Sequence, residues 1–251
     1  MTRLLVSIEN IAMNKHTKFI MSPITSILQE VAYAHAGIGN GIETYPLSEY
    51  IMQSVFLRMT GFQEQKMKCI CWDVATNDYK YRYEKFGKGK MGECSHYDEK
   101  SEIYKDLIKQ IKKHRLSFDV SIDLGKNKVK TDTFDFIKNT FSTSNLSACD
   151  QRNLREFIKE PNILDTGQFA AGNTLLQTSL HKKYTQMYEH RNRCAHNTQS
   201  YQENLPTLKT LVDADYKYDN YFVRFAILIL LDNIFMELYN IYVEVVEENF
   251  V

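Results

Sequence analysis

The sequence predicts an all-α protein, a helical bundle with additional helices on its N-terminal side. Only 4 Pro and 10 Gly punctuate 251 residues, which favours long helices over a turn-rich sheet. Apolar residues recur at three- and four-residue spacing along most of the chain. The stretch 219–248 is apolar nearly all round, as befits a helix buried centrally or between subunits.

The elements follow in order. "SPITSILQEVAYAHAG" reads as a helix with Ser22 as its cap, Pro23 in its first turn and Gly37 as its stop. Ile24, Ile27, Leu28 and Val31 line one face. A long helix is expected over 47–75, running through Gly61, because Ile51, Val55, Met59, Phe62, Lys66, Ile70 and Val74 keep helical spacing. The competing reading breaks at Gly61 and makes "MKCICWDV" a strand. Residues 76–98 are polar, with "FGKGKMGECS" loop-like. "DEKSEIYKDLIKQIKKHR" is a helix with Ile103, Leu107, Ile108 and Ile111 inward. Phe118, Val120, Ile122 and Leu124 alternate, giving a short strand or a connector insertion. Helices are expected over 131–143, 147–159 (ended by Pro161), 173–195 and 219–248. Asp232 and Asn233 interrupt the last of these and need partners.

Hydrophobic content of 43% and charged content of 25% are ordinary for a globular chain, and the formal net charge is zero. No global field draws nucleic acid, so a local patch would have to. Residues 61–130 hold 16 Lys/Arg against 11 Asp/Glu, and residues 202–251 hold 3 against 9. We expect one continuous domain in two parts, a helical region over 1–160 with this basic middle and a C-terminal part over 161–251. Five cysteines are an odd number and suit reduced thiols, so a cytoplasmic location is expected. The N-terminus has no signal-peptide pattern. The most apolar run, "FAILILL", is far short of about 18 residues, so no membrane span is expected.

The densest chemistry is "YEHRNRCAHN", residues 188–197. Asn192 and His196 lie four apart on one helical face. Arg191 and His196 are five apart, about 140° around an ideal helix, and would converge if the helix ended near Cys194 or met a second chain. His moves protons near neutral pH, Arg clamps a phosphate with paired N–H groups, and Asn orients either. Together they could cleave RNA without metal, by attack of a 2′-hydroxyl on its neighbouring phosphate. A helix end whose Arg and His merely contact local carboxylates is the plain alternative.

"RNRCAH" resembles the signature of the HEPN superfamily: an Arg, a polar residue that is often Asn, then a His four to six residues after the Arg. Arg191, Asn192 and His196 match it. The resemblance covers the motif and the C-terminal helical part. It implies an all-helical domain with the motif near the end of one long helix. It implies a metal-independent endoribonuclease, such as a toxin or antiphage effector, with RNA as substrate and no cofactor. It also implies pairing of two protomers into a shared cleft, with an antitoxin or regulatory partner in some contexts. Other members of that superfamily are catalytically silent binding modules.

Weaker candidates surround the motif. Tyr188, Lys182, Lys183 and Arg193 could contact RNA. Glu64, Lys66 and Lys68 could line a groove, and "KQIKKHR" (109–115) could track phosphates, although solvated faces explain both. Cys69, Cys71, Cys94 and His96 are zinc-ligand types, but their spacing departs from common fingers, and Cys69 and Cys71 diverge if helical. Asp119 and Asp123 lack a placed acidic partner for a metal nuclease. No metal is expected.

Overall fold

The computed structural model describes residues 15–87, 92, 94–196 and 219–248. The described chain is all-α apart from one two-stranded hairpin. Its helices are α1 (Lys15–Ile20), α2 (Thr25–His35), α3 (Tyr45–Asn77), α4 (Tyr79–Lys85), α5 (Tyr97–His114), α6 (Val120–Asp123), α7 (Lys126–Ser142), α8 (Gln151–Lys159), α9 (Thr178–His196) and α10 (Tyr221–Glu248). Strands β1 (Phe169–Ala171) and β2 (Thr174–Leu176) form the hairpin between α8 and α9. No described helix is long and apolar enough to cross a membrane.

Helix α10 is the post of the bundle. It packs against α3, α5, α7, α8 and α9, and its side chains are buried from several directions. The sequence left this helix buried either centrally or between subunits, and within the chain it is buried centrally. Ile229, Leu230, Ile234, Phe235 and Leu238 are all buried within one chain, so their apolar surface calls for no second copy.

Asp232 finds its partners inside the same chain. Its Oδ1 pairs with Lys66 Nζ at 2.7 Å, and its Oδ2 accepts from the Ile24 backbone N–H at 2.9 Å. Both side chains of the pair are 1% exposed. Burial pushes the Lys66 amine down and the Asp232 carboxyl up, and each charge opposes the other's shift. Asn233 donates to Thr133 Oγ1 at 3.1 Å, and Gln63 Nε2 donates to the Leu228 carbonyl at 2.9 Å. The polar groups of α10 thus tie it to α2, α3 and α7.

Several expectations change. Ser22 does not cap α2; its hydroxyl donates to Phe19 O, and Asp232 takes the Ile24 N–H instead. Helix α3 runs unbroken through Gly61 and through "MKCICWDV", which excludes the strand there. The polar stretch, assigned no element from the sequence, holds a helix: residues 79–85 form α4, capped by Asp78 accepting from Tyr81 N at 3.0 Å. The alternating segment is the single turn α6; Phe118, Val120 and Leu124 are buried while Ile122 is exposed. Helix α7 begins earlier than expected, and the expected 147–159 helix divides into a 3₁₀ turn, Asn145–Asp150, and α8. The hairpin displaces the expected start of α9 from 173 to Thr178. Gly172, with φ +58°, makes the turn.

Gly61 sits in the middle of α3, and a Cβ there meets nothing within 4 Å. Gly61→Ala should therefore stabilise the fold by about 0.5–1 kcal/mol. Urea melts should show a higher midpoint with an unchanged slope.

Candidate active site

The apolar face of α9 explains where its polar face points. Leu180, Tyr184, Met187 and Cys194 are buried inward. Tyr184 donates to the Ser95 carbonyl at 2.8 Å, which fixes the loop before α5 against α9. The middle of α3 closes the third side. Between them lies a cleft of about 530 Å³ lined by Glu64, Ser95, His96, Glu99, Tyr188, Arg191, Asn192 and His196.

Arg191, Asn192 and His196 thus border one cleft of one chain. Helix α9 stays helical through His196, so it does not end near Cys194, and the three residues still border the same cleft. Arg191 Nη2 reaches Glu64 Oε1 at 3.2 Å, and its Nη1 donates to Asn192 Oδ1 at 3.2 Å. The guanidinium also lies 5.9 Å from the centre of the Tyr188 ring. The other face of that corner is His96, whose ring centroid is 4.7 Å from that of Tyr188. The His96 N–H donates to Glu99 Oε2 at 3.2 Å. His196 is exposed on the last turn.

Lys100 backs the cleft, and sequence reasoning missed it. It is 2% exposed and donates from Nζ to the carbonyls of Cys94 (2.9 Å) and Ser95 (3.4 Å). Burial pushes its amine down to about 8, with the Glu64 carboxylate opposing the shift. The available signal was its position three and four residues before the inward Ile103 and Tyr104 of α5. Ser95, His96 and Glu99 were also missed as cleft residues, because they come from a segment far from the motif in sequence.

The remaining candidates divide. Tyr188 borders the cleft; Lys182, Lys183 and Arg193 are not among its lining residues. Glu64 joins the cleft, whereas Lys66 is buried with Asp232 and cannot line a groove. In the 109–115 segment, Lys113 pairs with Asp78 and Arg115 with Asp123. Among the described residues no group of three or more His, Cys, Asp or Glu is arranged to hold a metal. Cys71 turns to Cys94, Cys69 lies near Asp73, and His96 turns to Tyr188. Asp119 caps α6 through Ser121 N, and Asp123 accepts from Asp119 N and pairs with Arg115.

His190, inside the motif stretch, belongs to the core. It contacts Tyr221 Oη at 3.2 Å and Cys194 Sγ at 3.3 Å, and packs on Phe56. Burial, with Arg224 and Arg193 adding to it, pushes its imidazole down to about 2. The folded state therefore keeps it neutral, while the unfolded chain protonates it below about 6.5. Its contribution to stability is present above pH 6.5 and is lost as pH falls from there toward 2. Wild type should lose up to about 1.4 kcal/mol more per pH unit than His190→Gln between pH 6 and 4.5. Parallel urea titrations at each pH check this; equal slopes for the two chains would mean the imidazole is solvated.

No protein-family model, curated protein or solved structure matches this chain.

Proposed function

We propose that the cleft is the active site of a metal-independent endoribonuclease of HEPN type. The observation that carries this reading is the meeting of Arg191, Asn192, His196 and Tyr188 along one open cleft. Arg191 would hold the scissile phosphate through its planar fork of donors. The 2′-hydroxyl attacks phosphorus, the bond to the 5′-oxygen breaks, and a 2′,3′-cyclic phosphate and a 5′-hydroxyl result. His196 would carry a proton in that exchange, and Asn192 would orient the guanidinium it already contacts. The buried Lys100 amine adds positive charge behind the phosphate position. Pairing of two chains across the cleft, a toxin or antiphage role and an antitoxin or other regulatory partner belong to the same proposal through the resemblance.

A catalytically silent module that binds a nucleotide or RNA is the second reading. Its support is Glu64, whose carboxylate already engages the guanidinium that a scissile phosphate would need. The test is incubation of the purified chain with total RNA in EDTA. Cleavage leaving 2′,3′-cyclic or 3′-phosphate ends is the expected result. Activity that disappears on chelation and returns with Mg²⁺ or Mn²⁺ excludes the metal-independent mechanism. Binding of RNA with no cleavage under any condition favours the silent module.

A further inference from the structure

A second surface lies beside the cleft and is not used by the chemistry above. Trp72 at the end of α3 is 57% exposed, and Tyr79 and Tyr83 on α4 are 72% and 59% exposed. These are large rings to leave in water, and Trp72 meets Phe86 at the end of the helix that carries both tyrosines. Tyr79 and Tyr83 are four apart and so share one face of α4. Trp72 is held edge-to-face by Phe86 at 6.3 Å, which fixes the indole without covering it. The Arg82 guanidinium lies 5.1 Å from the centre of the Tyr79 ring. Lys80 and Arg82 are exposed between the rings.

The surrounding charge favours an anion. Within α4 the cations Lys80, Arg82 and Lys85 face the single acid Glu84. Lys85 is engaged by Glu102 and Asp106. The nearby Asp78 is already held by Lys113 and Gln110, and Asp73 is buried. Exposed cations and exposed aromatic rings thus alternate on one short helix.

The strip is continuous with the cleft. Glu64 forms the cleft wall, and Lys68 and Trp72 follow it on α3 at one and two turns, about 12 Å along the axis for Trp72. Lys68 lies close enough to Cys94, next to the cleft residue Ser95, for its charge to act on that thiol.

We infer that Lys68, Trp72, Tyr79, Lys80, Arg82 and Tyr83 form a binding strip for unpaired RNA running out of the cleft. The choice of ligand rests on the nucleic-acid reading of that cleft. Exposed rings stack on splayed bases irrespective of sequence, and interleaved cations track the phosphates. A duplex hides its base faces and has nothing to offer these rings. Rings rather than aliphatic side chains, each flanked by a cation, fit a base-and-phosphate chain better than the apolar centre of a protein partner.

Trp72 is the only tryptophan of the chain, so its emission reports on this strip alone. The experiment titrates His196→Ala protein with single-stranded oligouridine in EDTA, and with a duplex RNA of equal length. The expected result is saturable quenching by the single strand only. Affinity should fall with salt at a log–log slope of about −2, for three phosphate contacts by Lys68, Lys80 and Arg82. Tyr79→Ala/Tyr83→Ala, at exposed positions, should bind at least ~10-fold more weakly with an unchanged circular dichroism spectrum. Equal quenching by the duplex, or an unchanged affinity in the double variant, overturns the strip. So does oligouridine binding, followed by anisotropy, without a change in Trp72 emission; the rings are then a surface for a protein partner. Cleavage by wild type without Trp72 quenching removes the strip and keeps the nuclease. Quenching without cleavage by wild type removes the nuclease and keeps the strip.

Discussion

Arg191→Ala and His196→Ala should each lower RNA cleavage by at least ~100-fold while the chain stays folded. Loss of one donor that stabilises developing charge costs about 2.7–4 kcal/mol in the transition state. The fold should tolerate both changes. His196 is exposed on the last turn of α9, and Arg191 is partly exposed at the cleft. Removing the guanidinium leaves Glu64 unpaired but still at a solvent-facing cleft, so the stability loss should be small. Arg191→Lys is the sharper variant. It keeps the charge and loses the fork, and cleavage should remain well below wild type. Arg193→Ala should matter less, because Arg193 does not line the cleft. Rates on a defined RNA, with circular dichroism as the folding control, provide the check. An essential Arg193 beside a dispensable Arg191 would show that the wrong guanidinium had been assigned.

Lys66→Met should destabilise the core strongly, at about 3–5 kcal/mol. It leaves the Asp232 carboxylate, 1% exposed, without its counter-charge. That is a large share of the roughly 5–15 kcal/mol by which native domains are stable. Asp232→Ala should cost at least as much, since it strands the Lys66 amine and also uncaps α2 at Ile24. Combining Lys66→Met with Asp232→Asn should recover much of the loss. No charge is then buried alone, and the Asn oxygen can still accept from Ile24 N–H. Urea denaturation of the three chains measures this. Single variants within about 1 kcal/mol of wild type would mean that water reaches the pair.

Legibility in the sequence followed the range of the interactions involved. Helix α10 was readable because its apolar surplus is written continuously along the chain, and α3 because Ile51 to Val74 keep their spacing across Gly61. Interactions that bridge distant segments left no local trace. The cap of α2 comes from Asp232, 208 residues away, so Ser22 was a reasonable but wrong choice. Lys66 looked like a groove cation because the sequence does not display its partner 166 residues on. The hairpin has three-residue strands, too short for a period-two signal, and is held from α5. Tyr97 Oη bonds both backbone groups of Leu176, and Tyr104 Oη donates to Gly172 O. At the site, Arg191, Asn192 and His196 were legible as a cluster on one helix. The opposite wall, Ser95, His96 and Glu99, comes from another segment and is joined to the motif helix by the Tyr184 bond to the Ser95 carbonyl.

The position of the central post in the sequence sets an order on biosynthesis. The ribosome delivers α1 to α9 before α10, yet α3, α5, α7, α8 and α9 all bury their inner faces against it. Until Tyr221–Glu248 emerges, the nascent chain holds Phe56 and Phe141 without the Phe225 ring that packs on both. Those faces are bound to attract chaperones or each other during translation. The cleft cannot take its final shape earlier, because the α3 and α9 walls are set against the same late helix. Maturation of the site is thereby tied to translation of a segment that contributes no residue to it.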